Sequence, residues 1–80
     1  MKIELSKKAD KALKRMDFKT RTRIEDAIAK LPSGDVIPLS GYINTWRLVV
    51  GNRRVLFSYP EKGVILIEKI APRGQAYKEG

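Results

Sequence analysis

Eighty residues hold one domain, 1–80, with a core thin enough that one sheet under one layer of helices is about the limit. The chain has no cysteine and no histidine, which excludes disulfides, thiolate or imidazole metal sites, and the commonest general base at neutral pH. Seventeen Lys and Arg against nine Asp and Glu leave a net charge of +8, which calls for a polyanionic or acidic partner.

The N-terminal "MKIELSKKADK" lacks an apolar signal core, and no apolar run approaches the ~20 residues of a membrane span. A cytoplasmic protein with no membrane partner is expected. Lys2 to Leu5 alternates as a short edge strand does. Ser6 is placed to cap a helix carrying Ala9, Ala12, Leu13 and Met16. Asp17 caps the next one, in which Ile24, Ala27, Ile28 and Leu31 recur at i, i+3, i+4, i+7. Leu31-Pro32-Ser33-Gly34 stops it. The two helices form a hairpin with a basic outer face, and residues 33 to 45 read as a loop broken by Pro38 and Gly41.

The remaining segment reads as a three-stranded antiparallel meander. Gly51-Asn52 has glycine where a type II′ hairpin turn needs it. That turn pairs Val50 with Arg53, Val49 with Arg54, Leu48 with Val55, Arg47 with Leu56, and Trp46 with Phe57. Alternation then puts Trp46, Leu48, Val50, Val55, Phe57 and Tyr59 on the core face. Arg47, Val49, Arg54, Leu56 and Ser58 fall on the other face, and Arg53 is left solvated at the hairpin tip. The turn around residues 60–63 admits loops of three, four or five residues. The five-residue loop, pairing Tyr59 with Ile65, is preferred because it buries Ile65 and Ile67 and sends Glu68 outward, near Arg47 and Arg54. Pro72 ends or bulges the last strand. Beyond it, Arg73 and Tyr77 are four apart and share a side in either extended or helical chain.

Arg47, Arg54, Arg73 and Tyr77 thus converge on the face away from the helices. Guanidinium forks match phosphate oxygens and stay charged. A tyrosine stacks on a base, or accepts a proton if nearby cations lower its pKa. Such a face suits RNA cleavage by the substrate's own 2′-hydroxyl, with charge stabilisation and in-line positioning as the main contributions. Taken singly, each residue is better explained by solvation or packing than by catalysis.

The order of elements, with "KKADKALKRMD", "PLSGYINTWRLVVGNRRVLFSY" and "IEKIAPRGQAYK", resembles the RelE/ParE superfamily of toxins from bacterial type II toxin–antitoxin systems. The resemblance covers essentially the whole chain. It implies an α+β fold related to microbial ribonucleases: an N-terminal strand, a two-helix hairpin and the meander. In the RelE-like branch it implies a ribosome-dependent messenger RNA endonuclease that cuts in the aminoacyl site, without metal or other cofactor. The implied partners are an acidic antitoxin, the small ribosomal subunit and the message, with no small-molecule substrate. By motif position, Arg54, Arg73 and Tyr77 match catalytic residues and Arg47 a substrate-binding one; the general base is left to Tyr77 or, if the strand register allows, Glu68. Val49 stands where RelE has a lysine, Arg53 where a tyrosine is usual, and no extended C-terminal helix follows. The ParE-like alternative is a DNA gyrase inhibitor without nuclease activity; Arg54, Arg73 and Tyr77 together favour the ribonuclease branch.

Overall fold

The computed structural model describes residues 2–72. In chain order it contains β1 (Lys2–Leu5), α1 (Lys7–Lys14), α2 (Phe18–Ala29), β2 (Val36–Pro38), β3 (Thr45–Val50), β4 (Arg53–Glu61) and β5 (Val64–Pro72).

Both helices begin where a side chain takes over an orphan N–H. Ser6 is extended (φ −68°, ψ 164°), and its Oγ accepts from the Ala9 N–H at 3.0 Å. The same hydroxyl donates to the Glu68 carbonyl at 2.8 Å, so one atom starts α1 and ties it to β5. Ser6→Ala should therefore cost about 1–2 kcal/mol, read as a lower urea midpoint with unchanged slope.

Asp17 caps α2, its Oδ2 accepting from the Thr20 N–H at 3.1 Å. The Thr20 side chain, and then its backbone N–H, hold the Asp17 carboxyl below the ordinary aspartate pKa. A carboxyl depressed in the folded state adds stability above its unfolded pKa and loses it as pH falls through the folded value. The wild-type melting temperature should accordingly drop more steeply on acidification through that range than that of Asp17→Ala. Parallel acid limbs would show that the cap carries no charge-dependent stability.

The apolar stripes of both helices face one side of the sheet, with α1 over β5 and α2 over β3. Phe57, Ile24, Leu48, Ile65, Ile67 and Val55 are the largest fully buried side chains. Trp46 and Tyr59 flank them, their rings meeting edge to face at 6.2 Å.

The sheet has five strands in the order β1-β5-β4-β3-β2, so the expected meander is only its middle. Two differences from the sequence reading explain this. The expected loop 33–45 contains β2, which pairs antiparallel with β3, Val36 against Leu48 and Ile37 against Arg47. Three residues are too few to display alternation, and Pro38 is tolerable because β2 is an edge strand. At the opposite edge β1 lies parallel to β5, Ile3 against Ile65 and Leu5 against Ile67. A parallel partner can be reached only through a long crossover, here the rest of the chain.

The β3–β4 register is the one the Gly51-Asn52 turn implies, in all five expected pairs. Of the two turn residues only Gly51 has positive φ (60°), as a type II′ turn requires. The β4–β5 hairpin differs. Phe57 pairs with Ile67 and Ser58 with Leu66, the preferred register, but the strands continue to a Glu61–Val64 pair. The connection is therefore Lys62-Gly63 rather than five residues, with an irregularity between Ser58 and Glu61 absorbing the difference. A second shift separates the Leu56–Lys69 and Phe57–Ile67 pairs, leaving Glu68 as an extra residue in β5. Its carbonyl, displaced from the ladder, is the one Ser6 bonds.

Candidate nucleic-acid interface

On the side away from the helices the pairings define three rows across β3, β4 and β5. They run Thr45–Ser58–Leu66, then Arg47–Leu56–Lys69, then Val49–Arg54–Ala71. Strands lie about 4.8 Å apart, so Arg47 and Lys69 flank Leu56 at about that spacing, with Arg54 one pleat along. Leu56 is buried beneath them and forms a small apolar patch with Ala71 and Leu39. Three cationic stems thus surround an apolar floor. That arrangement suits a sugar–phosphate chain, with charge for the phosphate and an apolar surface for the sugar or base.

The guanidinium of Arg54 is held from behind. Its Nη1 donates to the carbonyls of Gly51 at 3.2 Å and Arg53 at 3.1 Å, at the hairpin end. Both of these bonds use Nη1 alone. The bends that make this turn thereby position an arginine as well as joining two strands.

Glu68 also reaches the outer face. Its Oε2 accepts from the Ser58 hydroxyl, and Ser58 is itself buried. Glu68 falls on the face of Arg47 and Arg54 as expected, and the bulge brings Lys69 there as well. The residue in the Arg47 row is Lys69, and the bonding partner of the Glu68 carboxylate is Ser58. Arg47 and Arg54 share the face as expected. Arg73 and Tyr77 lie outside the described residues.

Lys69 is the residue that strict alternation misses. Counting by twos from Ile65 and Ile67 sends Lys69 into the core, where a lone ammonium is untenable. The extra residue at Glu68 reverses the parity, so that Ile70 becomes buried and Lys69 faces outward. The spacing Ile65, Ile67, Ile70 was the available signal: two, then three, is a strand with a bulge.

Arg53 is likewise corrected. It is half-buried rather than simply solvated, lining a groove on the helix side. Among the described residues no group of three or more potential metal-ligating side chains occurs, and no helix is long and apolar enough to cross a membrane.

Neither a protein-family model nor a curated protein matches this sequence. Solved structures do match its fold. The RelB–RelE antitoxin–toxin complex of Methanococcus jannaschii superposes with a TM-score of 0.72 at 22% identity, covering 86% of this chain and 88% of that one. The RelE–RelB complex of Pyrococcus horikoshii OT3 gives a TM-score of 0.69 at 29% identity, covering 94% and 97%. The five-stranded sheet and the helix pair on one face thus belong to a RelE-like fold, shared over nearly the whole chain.

Proposed function

We propose that this chain is the toxin of a two-protein toxin–antitoxin system, and that it stops translation by cutting messenger RNA in the ribosomal aminoacyl site. The observation that carries the reading is the row Arg47–Leu56–Lys69 with Arg54 beside it, a cationic face on a RelE-like fold. The attacking group is the 2′-hydroxyl of the message. Its oxygen bonds to the adjacent phosphorus, the bond to the 5′-oxygen breaks, that oxygen takes a proton from water and leaves as a 5′-hydroxyl, and a 2′,3′-cyclic phosphate remains. Arg54 and Arg73 stabilise the crowded phosphorane, and Arg47 with Lys69 holds the flanking backbone. Tyr77 stacks on the nucleotide. Glu68, one oxygen of which accepts from Ser58, takes the 2′-hydroxyl proton. No metal or other cofactor enters this scheme. With no histidine to drive proton transfer, geometry carries much of the rate, and the ribosome supplies it by bending the message for in-line attack.

The partner that restrains the toxin is an acidic antitoxin. The +8 charge supports this, as do the RelB chains in the complexes of both structural neighbours. Primer extension on a message from cells in which the protein is induced tests the reading. Breaks within codons on ribosome-bound message, with cyclic or 3′-phosphate ends and no cutting of free RNA, are expected. Ends bearing 3′-hydroxyl and 5′-phosphate would rule out 2′-hydroxyl attack. Intact message with DNA replication stopping first would replace the nuclease by a gyrase inhibitor.

A further inference from the structure

A second basic surface lies on the helix side of the β3–β4 tip, away from the face just described. It is a groove of about 720 Å³ between the first half of α2 and the hairpin end. Ile24 and Val50 are in its lining, and Phe18, 74% exposed, stands at its edge. Lys19, Arg23 and Arg53 supply positive charge, with Asp26 the one acid among the lining residues.

Two features distinguish the wall of this groove. The Nε of Arg53 is buried and has no hydrogen-bond partner among the described residues, so its guanidinium carries an unmet donor at the groove wall. The Arg23 guanidinium lies against Gly51, its atoms 3.2–3.4 Å from where a Cβ would stand. Gly51 thus serves the turn by its positive φ and also leaves room for the Arg23 guanidinium, which lines the same groove as Arg53.

We infer that this groove binds single-stranded RNA, seating one nucleotide with its base on Phe18 and its phosphate between Arg23 and Arg53. Two guanidinium forks match a phosphate, and an exposed ring beside them is the platform on which bases stack without sequence preference. Asp26 favours a nucleotide over an acidic peptide. It repels densely spaced carboxylates but accepts hydrogen bonds from the N–H and O–H groups of a base or ribose. Because Arg53 and Arg54 are consecutive in β4 they point to opposite faces, so this contact is separate from the open face. It requires no cleavage.

The test uses the full chain and a labelled hexanucleotide of 2′-O-methyl uridine, which cannot be cut by 2′-hydroxyl attack. Binding is read by fluorescence anisotropy. Phe18→Ala and Arg53→Gln should each weaken binding by about five- to a hundredfold. Lys11→Gln removes the same charge as Arg53→Gln from the exposed face of α1 and should weaken it by no more than about threefold. Phe18 is so exposed that its removal leaves the fold standing, which keeps the test valid if Arg53→Gln proves unstable. Unchanged binding by Phe18→Ala, or equal losses from Lys11→Gln and Arg53→Gln, would reduce the site to diffuse charge attraction and overturn the inference. Displacement of the RNA by hexaglutamate at equal concentration would assign the groove to an acidic protein segment instead. Since the probe is uncleavable, these outcomes are independent of whether the protein is a nuclease.

Discussion

Arg54→Ala is expected to slow cleavage of ribosome-bound message by about 10²–10³-fold, the usual loss when one donor to a developing oxyanion is removed. The expectation rests on placement. Arg54 sits between Val49 and Ala71 on the open face, beside the Arg47–Lys69 row, with Nη1 anchored to two turn carbonyls. Those carbonyls lie at the exposed hairpin end, and water can replace the guanidinium there. The urea midpoint should therefore move little while the rate collapses. Arg54→Lys keeps the charge but loses both the fork and its anchoring, and should recover only a minor part of the activity. Quantified primer extension on purified ribosomes gives the rate. A near-wild-type rate for folded Arg54→Ala would remove this residue, and with it the proposed site, from the reaction.

Phe57→Ala is expected to cost about 3–5 kcal/mol, a large part of the roughly 5–15 kcal/mol that holds a small domain folded. Phe57 is fully buried, central in the sheet, and edge to face with Tyr59 at 5.9 Å. It also follows directly on the register shift, paired with Ile67 just before the extra Glu68. A cavity there removes contacts from Ile67 and unsettles the bulge that turns Lys69 outward. Chemical denaturation should show the midpoint falling by most of its wild-type value, and RNA binding by the folded fraction should fall with it. A loss below about 1 kcal/mol would mean that the surrounding core collapses onto the gap, contrary to its tight packing.

What the sequence determined by itself is what neighbouring residues decide. The caps at Ser6 and Asp17 and the helical periodicity behind them are local. So is the β3–β4 hairpin: a glycine at the first central turn position sets the register, and the register places Arg47 and Arg54 on one face. The resemblance carried by the arginine and tyrosine motifs pointed to the same fold, and the structural neighbours agree.

The tertiary structure decided what depends on partners distant in the chain. β2 is a strand because β3 offers it an edge; its own three residues show no pattern. β1 finds β5 across most of the chain, Lys2 pairing with Val64, and no local signal can reveal a pairing with that loop-closure cost. The bulge at Glu68 was hinted at by the spacing of Ile65, Ile67 and Ile70. Its position is held by the Ser6 hydroxyl, which takes the displaced carbonyl, and by Ser58, which takes the carboxylate. That single extra residue brings Lys69 to the open face and Ile70 to the core. Arg53, one position from Arg54, is drawn by strand parity to the other side, where only the packing of α2 against the hairpin makes a groove for it. Alternation is local, but where it breaks is set by hydrogen-bonding groups that folding brings together.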